Sequence, residues 1–198
     1  MKIIAHGAEA IIYEDRNEII KYREKKGYRI DEIDSDLRKS RTKREFTILK
    51  RCAKNGMHVP KPINISDNGE SIRMEKIEGV QLDYCFSLDL LEKVGNMLAN
   101  LHKIGIVHGD LTTANMLVRE KNLFFIDFGL SYFSQKDEDR ATDLFLFKNA
   151  LKSRHPNEFI EAYGLFLSAY KAAAGKEFKG IETHLRDIER RGRYHENG

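Results

Sequence analysis

The sequence predicts an α+β chain, one domain or two small lobes by its length, with short strands crowding its early part and helices its later part. Three observations predict it. Short apolar runs separated by turn residues crowd positions 2 to 23, which is strand patterning. Apolar residues recur at helical spacing after residue 31 and again after residue 90. Between these stretches lie Val59-Pro60-Lys61-Pro62, which forces extended backbone, and Asn68-Gly69, a hairpin signal.

Taken in order, strands are expected at Lys2-Ile3-Ile4-Ala5, Ile11-Ile12-Tyr13 and Ile19-Ile20-Lys21-Tyr22, with His6-Gly7-Ala8-Glu9-Ala10 as the first turn. Residues 31 to 56 read as a long helix broken near Ser35 or Ser40 and closed by Gly56 as a left-handed cap. In its later part Glu45, Ile48, Leu49 and Cys52 share one face. A glutamate on an apolar stripe points inward, where an unpaired charge is costly, so Glu45 needs a cation. Lys21, closing the apolar pair Ile19-Ile20, is the expected partner, with Lys43 and Arg44 as the local alternatives.

Two further strands are expected at about 63–67 and 71–76. Leu90, Leu91, Val94, Met97, Leu98 and Leu101 then form the stripe of an amphipathic helix that delivers the chain to His108. Met116–Arg119 and Leu123–Ile126 read as a hairpin turned at Glu120-Lys121-Asn122, which would bring Asp127 back beside Asn115. The next helical run is expected at Asp143, which reads either as an N-cap or as a buried anchor for the loop at His108. Residues 157–174 and 176–190 read as two closing helices separated at Gly175.

Composition narrows the function classes. With 41% hydrophobic and 33% charged residues among 198, the chain is typical of soluble globular proteins. No apolar run approaches the roughly 20 residues needed to cross a bilayer, no secretory leader is expected, and two cysteines, Cys52 and Cys85, fit a reducing cytoplasm. The net charge of +3 is mild. Basic clusters at Lys25, Lys26, Arg29, Arg38, Lys39, Arg41, Lys43 and Arg44, and at Arg186, Arg190, Arg191 and Arg193, permit an RNA or another phosphate-rich partner.

The chemistry is concentrated in His108-Gly109-Asp110-Leu111-Thr112-Thr113-Ala114-Asn115, followed by Asp127-Phe128-Gly129. A carboxylate and an amide oxygen converging on one point suit Mg²⁺, which shares its remaining positions with water and phosphate. This pair of spaced motifs resembles the catalytic loop and D-F-G segment of the protein kinases, and implies a minimal two-lobed protein-kinase-like fold, with a small β-rich N-lobe over residues 1–78 and a reduced helical C-lobe with a basic tail over 79–198. The resemblance makes Asp110 the catalytic base, Asn115 and Asp127 the metal ligands, and Lys21 with Glu45 the phosphate grip. It places the phosphate loop at His6, Gly7, Ala8, Glu9 and Ala10, and the adenine-binding hinge at Met74, Glu75 and Ile77. ATP and Mg²⁺ are the implied cofactors. No A-P-E motif follows, and Gly109 stands where an arginine would clamp a phosphorylated activation loop.

The truncated second lobe, G-A-E-A, I-K-Y-R-E-K-K-G-Y-R, H-G-D-L-T-T-A-N and the Arg-Arg-Gly-Arg end together resemble the PRPK-like, RIO-related kinase subunits of the KEOPS complex. That resemblance implies an autophosphorylating serine/threonine kinase or ATPase, partnered by the tRNA-threonylcarbamoylating subunit and other KEOPS subunits. A small-molecule phosphotransferase of aminoglycoside type, which also uses H-G-D and N, and a nucleotide-binding scaffold without turnover are the competing expectations.

Overall fold

The computed structural model describes residues 1–7, 9–27 and 30–196, the last five of these by their helical backbone. Ala8, Arg29 and the side chain of Arg193, named above, lie outside the described residues. The chain forms two compact units, one of Met1–Glu78 with Asp127–Leu130, the other of Gly79–Ile126 with Ser131–Gly198.

The first unit carries an antiparallel sheet of β1 (Lys2–His6), β2 (Ile11–Asp15), β3 (Glu18–Tyr22), β4 (Pro62–Ile65) and β5 (Ser71–Glu75), in the order β1-β2-β3-β5-β4. Lys21 pairs across the ladder with Ile12 on one side and Ile72 on the other, which fixes its position in the sheet. Helix α1 (Asp31–Lys54) packs on β4 and β5. It runs unbroken through Ser35 and Ser40, contrary to the expected interruption. The reason is visible on its inner face, where Asp34 accepts from Arg38 Nε at 2.7 Å one turn away and Arg38 reaches Glu70 at 2.5 Å. These contacts stabilise the turns where serine weakens the helical preference.

The second unit begins with β6 (Val80–Gln81) and α2 (Asp89–Lys103), which buries Leu91, Val94, Leu98 and Leu101. After β7 (Ile106–Val107) and a single 3₁₀ turn at Thr113–Asn115 come β8 (Met116–Arg119) and β9 (Asn122–Phe125). Their register sets Met116 opposite Phe125 and Arg119 opposite Asn122. The hairpin turn is therefore Glu120-Lys121 alone, shorter by one residue than expected, with Glu120 at φ +58°. β10 (Tyr132–Phe133) pairs with β7.

Helix α3 (Asp137–Arg154) starts six residues before Asp143, so the N-cap reading of Asp143 is overturned. Asp137, Glu138 and Asp139 occupy its first turn, where the helix dipole favours acids. Helix α4 (Phe159–Ala174) begins two residues later than expected, and a 3₁₀ turn at Gly175–Glu177 separates it from α5 (Phe178–Glu196). Gly95 of α2 lies against α4, where a Cβ would fall 2.9 Å from the Tyr170 nitrogen and closer still to the Phe166 carbonyl oxygen.

Candidate active site

In the first unit the sheet and α1 deliver Lys21 and Glu45 to one buried point. Lys21 Nζ donates to Glu45 Oε1 at 2.9 Å and to Asp127 Oδ1 at 2.6 Å. The local alternatives for Glu45, Lys43 and Arg44, are not its partners. A second cation, given no role from the sequence, completes the group: Arg23 Nη2 donates to Glu45 Oε2 at 2.6 Å. Lys21, Arg23 and Glu45 are 6%, 3% and 1% exposed. Arg23 lies two residues beyond Lys21, and the period-two alternation of extended chain places both side chains on one face. That spacing was the available signal.

Burial works against the Lys21 ammonium, but the Glu45 and Asp127 carboxylates outweigh it and hold the lysine above its ordinary value. Asp127 has a left-handed backbone, φ +60°, and its Oδ1 also accepts the Gly129 N–H at 3.2 Å. Gly129 provides clearance, since a Cβ there would lie 3.0 Å from Asp127 Oδ1, 3.1 Å from Lys21 Nζ and 3.4 Å from Arg23 Nη2.

At the expected phosphate loop, residues on either side of Ala8 are tied together. Gly7 N–H donates to the Ala10 carbonyl at 3.0 Å, and Ala10 is buried. Glu9 forms an ion pair with Arg41 of α1, and His6 is exposed, with Nε2 4.0 Å from Glu24. At the expected hinge, Met74 and Glu75 are the last residues of β5, with Met74 facing Ile19, and Ile77 is buried. The N–H groups of Glu75 and Lys76 are already bonded to the Lys61 and Asn17 carbonyls.

In the second unit Asp110 and Asn115 are brought together across the loop. Asn115 Nδ2 donates to the Asp110 carbonyl at 2.8 Å and to Asp110 Oδ2 at 3.0 Å. This fixes the amide so that its nitrogen faces the carboxylate and its oxygen the other way, the orientation a cation ligand needs. At the base of the hairpin Ile126 N–H donates to the Asn115 carbonyl at 3.0 Å, one residue before Asp127. A carboxylate oxygen and an amide oxygen are donor types that Mg²⁺ takes, commonly one or two carboxylates with water and phosphate completing its octahedron. Among the described residues no group of three or more His, Cys, Asp or Glu side chains is placed to hold a metal ion.

The loop is anchored from α3. Asp143, fully buried, accepts the His108 N–H at 2.6 Å and the Gly109 N–H at 2.8 Å. His102 Nε2 lies 3.0 Å from the same carboxylate, and its Nδ1 lies 2.7 Å from Tyr170 Oη. Asp83, unremarked in the sequence, accepts from Thr113 inside the loop. Within the basic clusters Arg38 and Arg41 are paired as described, Lys25 pairs with Asp31, Arg186 with Glu182, Arg190 with Asp187, and Arg191 with Glu138.

Comparison with known proteins identifies the family. Residues 1–146 match the RIO domain family model. The chain is 41% identical to the KEOPS complex subunit Bud32 of Pyrococcus abyssi, covering 99% of this chain and 97% of that one. It is 40% identical to the EKC/KEOPS complex subunit BUD32 of Enterocytozoon bieneusi, covering 99% and 100%. A probable bifunctional tRNA threonylcarbamoyladenosine biosynthesis protein of Methanobrevibacter smithii is 39% identical, over 97% of this chain and 36% of that longer protein. Among solved structures, the Rio2 kinase of Chaetomium thermophilum with ADP/Mg²⁺ and phosphoaspartate superposes with a TM-score of 0.62 at 20% identity, over 96% of this chain and 72% of that one. A buried lysine–glutamate pair, an H-G-D loop clamped from the next helix and near full-length similarity to the Bud32 proteins converge on one conclusion: the chain belongs to the RIO domain family, in the branch that holds Bud32.

Proposed function

We propose that this protein is an ATP-dependent phosphotransferase that autophosphorylates and hydrolyses ATP, and that it serves as the kinase subunit of a cytoplasmic complex making threonylcarbamoyladenosine in tRNA. The observation that carries the reading is the buried Lys21–Glu45 pair at 2.9 Å, with Asp127 at 2.6 Å from the same ammonium. A buried cation held by two carboxylates is set up to exchange one of them for a phosphate oxygen, the role of the third-strand lysine in kinases.

In this reading Lys21 orients the α- and β-phosphates, and Glu45 keeps Lys21 in place. Asp127 and Asn115 would each offer an oxygen ligand to Mg²⁺, which would neutralise charge developing on the phosphates. Asp110, steadied by Asn115 Nδ2, accepts the proton of the attacking hydroxyl or water. Adenine is met near Met74, Glu75 and Ile77, and the turn from His6 to Ala10 covers the phosphates. Support for the partner comes from the relatives, which include KEOPS subunits and a bifunctional tRNA threonylcarbamoyladenosine biosynthesis protein.

The test is ATP turnover and self-labelling with and without the tRNA-modifying subunit and tRNA. Asp110→Ala is expected to lower turnover by about 10²–10⁴-fold, the usual contribution of a general base. Turnover unchanged by that substitution would overturn the catalytic role. Phosphorylation of an aminoglycoside faster than ATP hydrolysis would favour the small-molecule alternative.

A further inference from the structure

The carboxylate that holds the phosphate-gripping lysine has two cations on it. Glu45 Oε1 takes Lys21 at 2.9 Å and Oε2 takes Arg23 at 2.6 Å, with all three groups buried. Asp127 adds a second negative charge on Lys21, at 2.6 Å, so two cations and two carboxylates cancel. The Arg23 backbone is pinned on both sides: its N–H donates to the Glu70 carbonyl at 2.9 Å, and its carbonyl accepts from Arg38 Nη1 at 3.4 Å. Arg38 is in turn paired with Asp34 at 2.7 Å and Glu70 at 2.5 Å. The partner on the other side of Lys21, Asp127, has a side chain 49% exposed.

We propose that Arg23 is a positioning residue of the nucleotide grip: it neutralises Glu45 from a fixed seat, so that the charge of Lys21 is directed at the phosphates of the nucleotide. The proposal rests on the ATP reading given above. In a simple lysine–glutamate pair the carboxylate cancels most of the ammonium field. With Arg23 on the second oxygen, that cancellation falls on the guanidinium, and engagement of Asp127 by a cation leaves Lys21 with net positive charge to offer. Inside a protein a charge at this distance matters far more than in water. Arg23 also keeps Glu45 paired while Lys21 changes partners, which avoids a bare buried carboxylate.

The experiment measures dissociation constants of ATP with Mg²⁺ and of adenosine by calorimetry, for the unmodified chain and for Arg23→Met, Arg23→Gln and Arg23→Lys, with KM and kcat for ATP turnover alongside. Arg23→Met and Arg23→Gln are expected to weaken ATP binding about tenfold and raise KM to match, with kcat and adenosine affinity within about threefold of the original. Arg23→Lys restores ATP binding to within about threefold. Gln retains a hydrogen bond to Glu45 without the charge, so it tests the idea even where Met prevents folding. Equal losses for ATP and adenosine, or no loss in a folded Arg23→Gln protein, would overturn the role of Arg23 alone. Failure of the unmodified chain to bind ATP would overturn the nucleotide reading itself and this inference with it.

Discussion

Asp143 Oδ2 lies 2.6 Å from the backbone nitrogen of His108, and the other oxygen of the same carboxylate lies 2.8 Å from that of Gly109. One fully buried side chain thus satisfies two consecutive N–H groups of the loop that carries Asp110. Removing it leaves one buried and one half-buried donor without partners, the buried one costing about 1–3 kcal/mol. Asp143→Ala is therefore expected to lower the unfolding free energy by about 3 kcal/mol in urea titration, and to abolish most ATP turnover. Asp143→Asn retains only one acceptor oxygen and should fall between.

Asn115 acts on Asp110 through its nitrogen, at 2.8 Å from the carbonyl and 3.0 Å from Oδ2. Asn115→Asp retains an oxygen for a cation but sets a second carboxylate against Asp110. Displacement of a reacting group by about 1 Å can cost about 10²-fold, and a loss of that size is expected in kcat for ATP hydrolysis. Excess Mg²⁺ should not recover it, because the missing element is the donor to Asp110.

Cys52 is fully buried on α1, and burial pushes its thiol up to about 12. The sign follows from the neutral form being favoured by the fold. Below the ordinary thiol value, near pH 9, the native and unfolded states both keep the proton and stability is unaffected. Between there and about pH 12 only the unfolded state gives it up, and stability falls by up to about 1.4 kcal/mol per pH unit. Cys52→Val should remove this part of the alkaline loss in unfolding curves at pH 8 to 11. At pH 8 iodoacetamide should modify Cys85, which is partly exposed, well before Cys52.

Gly95 faces α4 with no room for a methyl group. Gly95→Ala gains helix propensity of about 1 kcal/mol, yet overpacking typically costs about 1–3 kcal/mol. Backbone atoms of Phe166 and Tyr170 are the obstacle, and they yield less readily than a flexible side chain. Net destabilisation is therefore expected, read as a lowered melting temperature.

The parts legible in the sequence were those where one residue's chemistry demands another. Glu45 on the stripe of Ile48, Leu49 and Cys52 required a cation, and Lys21 supplied it. The hairpin from Met116 was legible from two apolar runs of matched length. What escaped depended on partners distant in the chain. The continuity of α1 past Ser35 and Ser40 depends partly on Arg38 meeting Glu70, and the role of Arg23 appears only when α1 brings Glu45 to it. The early start of α3 had a local signal, the three acids Asp137, Glu138 and Asp139, but no apolar periodicity to announce it.

The inner face of α1 ahead of Glu45 is Asp34, Arg38 and Thr42, while Ile30, Ile33 and Leu37 face outward at 70%, 54% and 39% exposure. A greasy stripe tolerates slippage, because one aliphatic group replaces another with little loss. Charges do not. Sliding α1 by a single turn would set Arg41 or Leu49 where Glu45 now stands, confronting Lys21 and Arg23 with a third cation or with no anion at all. The salt-bridged seat therefore works as a vernier, admitting one longitudinal setting of the helix and rejecting its neighbours.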